Sequence, residues 1–347
     1  MKFYNQVHQY YCGIDLHART MYLCVQDQTG RILLHRNCRA NAEEFLHWVQ
    51  PYREDMVVAV ECMFSWYWLA DLCADEDLEF VLGHALYMKA IHGGKAKNDR
   101  IDSEKITVLL RGGMFPVAYN YPRKMRATRD LLRRRMHHTQ RRGELLAHIQ
   151  NTNHQYCLDP LRGRLIYKCN REGVVEHFSD SAVQKNIEVD LALIGQYDQQ
   201  IQDMEHTVQH MAKDHDPQAI HLLRTIPGIG KILSLVILYE IHTIDRFPTV
   251  QDFVSYCRLV KCSKESGGKI YGTQGNKIGN AYLKWAFSEA AALFLKNNPR
   301  GPQYLSRMAK KYGKGKALSI LARKLGTCVY FMLRRNKAFN MEKFMNQ

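Results

Sequence analysis

Tyr10-Tyr11-Cys12-Gly13-Ile14-Asp15-Leu16 has the composition of a β-strand, and a carboxylate sits one residue before its end. Downstream, residues 21–26 and 31–38 have strand composition too, and Gln28-Thr29-Gly30 reads as the turn between them. Asn41 opens a helix over 41–49 as its N-cap, with Glu44 placed to complete a capping box. Met56-Val57-Val58-Ala59-Val60 is a short apolar run, as expected of a strand buried on both faces. A helix over 66–74, a fifth strand over 78–82 and a helix from Asp99 to about residue 110 complete the segment.

Three meandering strands followed by helix, strand, helix, strand and helix is the element order of an α/β, RNase H-like fold. On that order four acids fall in informative places. Asp15 lies in the first strand, Glu61 directly after the fourth, and Asp99 and Asp102 share one face at a helix N-terminus. Parallel neighbouring strands would set Asp15 beside Glu61, and the last helix would lay its first turn over both. Carboxylates converging in this way repel one another unless cations join them. Oxygen-only ligands favour Mg²⁺ or Mn²⁺ over zinc. Two such ions about 4 Å apart can stabilise the attacking and leaving oxygens of phosphodiester cleavage. Taken one at a time, each acid also has an ordinary reading, as a strand cap, an Arg partner or a complement to the helix dipole. A Gly-Ile-Asp on a first strand opens actin-like ATPases and sugar kinases as well. Those need Gly-rich phosphate loops, for which His92-Gly93-Gly94-Lys95 is the one weak candidate before the last helix.

The whole chain has 347 residues, 46% hydrophobic and 24% charged, which excludes wholesale disorder. That length allows about two domains, each able to bury a core. No run approaches the roughly 18 apolar residues of a membrane span. Met1-Lys2-Phe3-Tyr4-Asn5 lacks the apolar stretch of a signal peptide. Ten cysteines without a Cys-x-x-Cys pair read as reduced cytoplasmic thiols, not as a zinc ribbon or a disulfide framework. Lys and Arg outnumber Asp and Glu 49 to 34, a net charge of +15 that points to a polyanionic partner, most simply nucleic acid.

The excess is concentrated. Arg123, Lys124, Arg126, Arg129, Arg133, Arg134, Arg135, Arg141 and Arg142 interleave with Leu131, Leu132 and Met136, which predicts a helix with a broad basic face for a phosphate backbone. The planar fork of Arg suits phosphate oxygens. Ile187, Ile194, Ile201 and Val208 then recur every seven residues, with Tyr197, Met204 and Met211 three places after the last three. That seam predicts a long helix packed on another, either the basic helix of the same chain or a second protomer. Residues 156–181 show no sustained periodicity and read as an irregular insertion.

Two signals mark the C-terminal third. Pro227-Gly228-Ile229-Gly230-Lys231 precedes an apolar helix, as in a helix-hairpin-helix that offers the N–H groups about Gly228, Gly230 and Lys231 to a DNA phosphate; an ordinary turn between helices is the plainer reading. Lys264-Glu265-Ser266-Gly267-Gly268-Lys269, with Lys277 and Asn280 following, reads as a Gly-rich basic loop able to hold a phosphate. Ser266 has steric freedom there, but a serine without a base is a poor nucleophile, and Tyr271 is a competing hydroxyl.

Gly13-Ile14-Asp15, Val60-Glu61, Asn98-Asp99-Arg100-Ile101-Asp102, Ile226-Pro227-Gly228-Ile229-Gly230 and Glu265-Ser266-Gly267-Gly268 together resemble, in order and spacing, the DEDD transposases. These are RNA-guided (bridge-RNA or seeker-RNA) insertion-sequence recombinases related to pilin-gene invertases. The resemblance runs from about Tyr11 to Arg335. It implies a RuvC-like domain over 1–118, a basic helix and coiled-coil segment over 119–215, and a mainly α transposase domain over 216–347. Asp15, Glu61, Asp99 and Asp102 match the metal-binding tetrad, and Ser266 the nucleophile that forms a phosphoserine link to DNA. The partners implied are a structured guide RNA, donor and target DNA duplexes and further copies of the chain, dimer to tetramer, with the active site completed between protomers in the bacterial cytoplasm. Two departures stand out. Cys62-Met63-Phe64-Ser65-Trp66-Tyr67-Trp68 replaces the short Ala-Thr-Gly-type turn of many members, and Asn276-Lys277-Ile278 replaces a Ser-Lys before Gly279-Asn280.

The expectation is therefore an RNA-guided DNA recombinase acting as a transposase. A metal-dependent junction-resolvase-type nuclease that uses water is the alternative. A non-catalytic nucleic-acid-binding protein is a third reading.

Overall fold

The backbone is described for residues 2–91, 98–212, 216–274, 278–296 and 298–346 of a computed structural model, which divides into the units Met1–Arg123 and Lys124–Gln347. In the first unit the strands are β1 (Phe3–Tyr4), β2 (Tyr10–Leu16), β3 (Thr20–Asp27), β4 (Ile32–Arg39), β5 (Met56–Glu61), β6 (Glu79–Gly83) and β7 (Phe115–Pro116). The helices are α1 (Ala42–Val49), α2 (Tyr67–Asp75), α3 (Ala85–Ile91) and α4 (Asp99–Arg111). The main sheet runs β4-β3-β2-β5-β6, with β2, β3 and β4 antiparallel and β5 and β6 parallel to β2. This order is compatible with the RNase H-like arrangement expected from the sequence. β1 and β7 pair with each other and, at two residues apiece, are too short to leave a periodic trace.

Period-two alternation assigns the two sheet faces. Cys12, Ile14, Leu16, Val58 and Val60 face one core together with Phe45 and Val49 of α1 and Leu69, Ala70 and Cys73 of α2. Tyr11, Val57 and Ala59 face the other, with Ile106, Leu109 and Leu110 of α4. β5 is apolar throughout because both of its faces are covered, and Glu61, its last residue, is the first to meet solvent. Asn41 caps α1 by accepting from the Glu44 N–H at 2.8 Å. The expected box does not close, because the Asn41 N–H donates to the Arg39 carbonyl and the Glu44 carboxylate accepts from the Trp48 indole.

Gly13 sets the spacing between β2 and α4. A Cβ at this position would lie 2.4 Å from Thr107 Oγ1 and 2.6 Å from the Ser103 carbonyl, so only a glycine lets the helix lie this close. The Gly13 N–H donates to Thr107 Oγ1 at 3.1 Å, and that hydroxyl lies 3.0 Å from the Cys24 carbonyl on β3.

The second unit begins with two long helices, α5 (Arg123–Gln155) and α6 (Ser181–Met211). Arg135 pairs with Glu205, Arg142 with Asp198 and His148 with Asp190, so the two helices run antiparallel. Within this chain α6 thus lies against the basic helix. Ile187, Ile194, Ile201 and Val208 are buried, whereas Tyr197 and Met204 are half-buried and Met211 is 51% exposed, so only one row of the heptad pattern is covered. Leu165, Val174 and Phe178 of the irregular segment join Ile149, Ile187 and Ile194 in one cluster.

The remaining helices are α7 (Pro217–Arg224), α8 (Lys231–Ile241), α9 (Val250–Tyr256), α10 (Ala281–Lys296), α11 (Gly301–Tyr312), α12 (Lys314–Arg335) and α13 (Met341–Asn346), with a hairpin of β8 (Cys262–Ser266) and β9 (Lys269–Gln274) before α10. α8 is central, with Leu233 to Ile241 all buried, among them Glu240. Arg129 Nη2 lies 3.0 Å and Arg133 Nε 2.6 Å from the Glu240 carboxylate, and Asn280 Nδ2 donates to it at 2.7 Å. One buried anion thus ties α5 and the start of α10 to α8. No helix among the described residues is long and apolar enough to cross a membrane.

Two stability predictions follow from these contacts. Gly13→Ala forces α4 away from β2 and lowers unfolding stability by about 1–3 kcal/mol in a urea titration, as overpacking does. For Glu240, burial alone would raise the carboxyl's pKa, but the Arg133 bond, the Arg129 and Arg133 charges and Asn280 outweigh it and hold it below its ordinary 4.5. A folded-state value below the unfolded one means that this stabilisation is present above 4.5 and is lost as pH falls through the lower, folded value. Glu240→Gln should cost about 3–5 kcal/mol at pH 7, because two guanidinium groups lose their buried partner. Guanidinium titrations at pH 7 and pH 3.5 should show that difference narrowing in acid.

Candidate active site

The parallel pairing of β2 and β5 carries Ile14 opposite Val60, so Asp15 and Glu61 follow as neighbours at the ends of adjacent strands. Both continue the alternation of Tyr11, Gly13, Val57 and Ala59, which stand on the α4 face. The start of α4 is fixed by Asn98, whose side chain accepts from the Ile101 N–H at 2.8 Å. Its first turn brings in Asp99 and Asp102.

Among the described residues, Asp15, His17 and Asp99 form a compact group whose ligand atoms all lie within 4.8 Å of one another. His17 Nε2 is 3.6 Å from Asp15 Oδ2 and 3.4 Å from Asp99 Oδ1. Of the four expected acids, two therefore come together here. Glu61 and Asp102 stand outside the compact group, and the Asp102 carboxylate lies 3.4 Å from Lys105 Nζ. His17 was not anticipated. Its signal is the spacing Asp15-Leu16-His17, because residues two apart on an extended strand share a face. The donor set fits a divalent cation. Two carboxylates from different elements point to a hard ion such as Mg²⁺ or Mn²⁺, while an imidazole ligand would shift preference toward softer metals. His17 lies between the two carboxylates.

The serine sits on a hairpin, not in the open loop expected from its glycines. Gly267 and Gly268 have φ of 55° and 74°, the left-handed pair that a two-residue type I′ turn requires, and Ser266 pairs with Lys269 across it. The register shifts between Lys264 and Glu265 opposite Tyr271, which bends the ladder just below the serine. Ser266, Lys269 and Tyr271 are exposed. Lys277 lies outside the described residues, and Lys264 is placed only by its strand.

Several residues expected at a phosphate make structural contacts within the chain. Gly228, with φ of +90°, packs on α10, where a Cβ would fall 2.5 Å from the Phe294 nitrogen. Asn280 is buried and caps α10 by accepting from the Tyr282 and Leu283 N–H groups. Arg126 and Arg129 are buried, Arg133 shares the Glu240 carboxylate, and Arg123 lies within 3.5 Å of Asp71 and Asp75 carboxylate oxygens. For Arg129 and Arg133 the physical reason is that the basic helix is the wall of a core, and its inward side carries the cations that meet Glu240. Lys124, Arg134, Arg141, Gly230 and Lys231 remain exposed, Arg141 with Glu144 at 2.7 Å. A second basic surface was missed. Lys310-Lys311-Tyr312-Gly313-Lys314-Gly315-Lys316, at the α11–α12 corner, is exposed throughout, with Lys311 and Lys316 Nζ 5.2 and 4.9 Å from the Tyr312 ring. Its two glycines and four lysines are a readable turn-and-charge signal.

Comparison with known proteins places both features in one lineage. Residues 12–157, which hold the four acids, match a transposase model of the DEDD type from IS110 elements. Residues 220–306, which hold Ser266, match the model described as the transposase IS116/IS110/IS902 family. A protein of insertion element IS110 from Streptomyces coelicolor is 31% identical over 114 residues, covering 33% of this chain and 28% of that protein. The pilin gene-inverting protein of Moraxella bovis is 24% identical over 350 residues, covering 95% of this chain and 97% of that one. With separate matches over the acids and over the serine hairpin agreeing, the chain belongs to the IS110 family of transposases.

Proposed function

We propose that this chain is an RNA-guided DNA recombinase that moves an insertion sequence by cutting and rejoining strands through a covalent phosphoserine. The observation that carries the reading is the approach of Asp99, on α4, to Asp15, at the end of β2, with His17 lying within 4 Å of both. The inverting activity in the name of the Moraxella relative supports a cut-and-rejoin reaction over plain hydrolysis.

Asp15 and Asp99, joined by Glu61 and Asp102 when substrate is in place, would hold one or two Mg²⁺ or Mn²⁺ ions. Such ions supply Lewis acidity at the scissile phosphate and lower the pKa of a bound hydroxyl. Ser266 Oγ attacks phosphorus, an O–P bond forms, and the P–O bond to the departing nucleotide hydroxyl breaks. The hydroxyl of the exchanged strand then reverses the step, so bond energy is conserved and no nucleotide triphosphate is consumed. Exposed cations such as Lys124, Arg134, Lys231 and Lys269 hold the backbones of a structured guide RNA and of donor and target duplexes, while base pairing with the RNA selects sequence. The 119–215 segment acts as the arm through which copies of the chain assemble, as a dimer or tetramer.

A covalent-adduct assay tests this. Protein, the element-end RNA, donor and target DNA and Mg²⁺ are mixed, denatured and probed for protein-linked DNA. Wild type should yield an adduct whose modified peptide maps to Ser266, and Ser266→Ala and Asp15→Asn should each reduce it by at least 10²-fold. Cleavage that survives Ser266→Ala with no adduct would replace the covalent step by attack of water.

A further inference from the structure

Directly after Glu61 the chain exposes three apolar side chains in succession. Cys62 is exposed, Met63 is 49% and Phe64 79% exposed. An isolated surface apolar residue is unremarkable, but a run of three on a water-soluble surface destabilises unless a partner covers it. The segment is held in place at both ends. The Met63 N–H donates to the Glu61 carbonyl at 2.8 Å, the Cys62 N–H to the Gly83 carbonyl at 2.9 Å, and Ser65 Oγ to the Leu16 carbonyl at 3.2 Å. The loop is thus pinned to the two strand ends that carry Asp15 and Glu61, and buried Trp66 closes it.

We propose that Phe64 stacks on a DNA nucleobase next to the phosphate that the acidic group handles, and so helps to open the base pair beside the cut. This deepens the function proposed above and depends on it. The chemistry at this edge selects the occupant. Carboxylates with a dication bind a phosphate, an exposed ring beside them binds an apolar face, and a DNA strand offers both within one nucleotide. Stacking on an aromatic side chain is sequence-tolerant, as a recombinase whose targets are chosen by base pairing requires. Wedges of this kind offset the cost of unstacking with new contacts to the ring. Phe64 touches no reacting atom in this scheme and is a positioning residue.

The test compares strand cutting by the full-length protein with its RNA on a fully paired duplex and on one mismatched at the pair flanking the mapped cut. Phe64→Ala should cut the paired duplex about tenfold more slowly, the loss expected for one stacked base, while cutting the mismatched duplex like wild type. Phe64→Trp should keep wild-type rates on both. Thermal unfolding midpoints should coincide, since the side chain is exposed. 2-Aminopurine at the flanking DNA position should brighten with wild type and not with Phe64→Ala. Equal cutting of the paired duplex by Phe64→Ala and wild type, or an equal loss on both duplexes, overturns the inference. A Phe64-dependent signal from 2-aminopurine in the RNA instead of the DNA overturns the assignment to DNA. A wild type that cuts neither duplex overturns the proposed function and this inference with it.

Discussion

The close approach of α4 to β2 at Gly13 is the constraint on which the N-terminal unit depends. With a Cβ at that position 2.4 Å from Thr107 Oγ1, the helix could not settle where Ile106, Leu109 and Leu110 fill the second core. The Thr107 hydroxyl then locks the arrangement, accepting from Gly13 on β2 and lying 3.0 Å from the Cys24 carbonyl on β3. Because the helix is rigid, fixing it near its middle also fixes where its first turn points. The chemistry at the sheet edge is in this sense a packing result: Asp99 lies near Asp15 because a glycine two residues before Asp15 on the same strand leaves room for a helix. A lone hydrogen atom on one α-carbon determines how carboxylates far apart in sequence are brought together.

Charge is divided between the interior and the surface by residue type. Arginines on α5 and in the irregular segment meet acids of the same unit, Arg129 and Arg133 at buried Glu240, Arg135 at half-buried Glu205, Arg142 and Arg171 at half-buried Asp198. Lysines carry the most exposed basic stretch, at the α11–α12 corner. A guanidinium, more weakly hydrated and able to form paired hydrogen bonds, tolerates burial better than an ammonium. A net charge of +15 therefore overstates what the long basic helix offers to a polyanion, and the lysine corner offers more than its short length suggests.

The sequence reads best where one periodicity decides. All five strands of the main sheet, helices α1, α2 and α4, and the long α6 could be placed from alternation, apolar runs and heptads, because core burial enforces those periods. The two-residue strands and α3 could not, since they owe their form to neighbours. Asp15 and Asp99 were legible as partners because the element order brings a strand end and a helix start together. His17 was not, because a histidine at a strand end has many ordinary uses. The contacts of Arg129, Arg133 and Asn280 with Glu240 were not legible for a different reason. A buried Glu240 sits in an otherwise apolar helix, and nothing local in Leu238-Tyr239-Glu240-Ile241 announces which cations will meet it.

The geometry about Ser266 would restrain it in the nucleophilic role proposed above. A Cβ added at Gly267 or Gly268 would meet nothing within 4 Å, and Ser266 beside them is exposed, so the hydroxyl stands at a solvent-facing tip. Among the described residues, no His, Asp or Glu side chain is hydrogen-bonded to it, and at neutral pH a serine without a base is almost wholly protonated and unreactive. In the proposed reaction its activation would then come from groups assembled with the substrate. A serine activated in that way remains inert toward stray phosphodiesters in the free protein, and cutting is coupled to assembly of the complex in which rejoining is also available. For the recombinase proposed above, which would break DNA only to reseal it, an intrinsically weak nucleophile on an exposed hairpin would favour fidelity over speed.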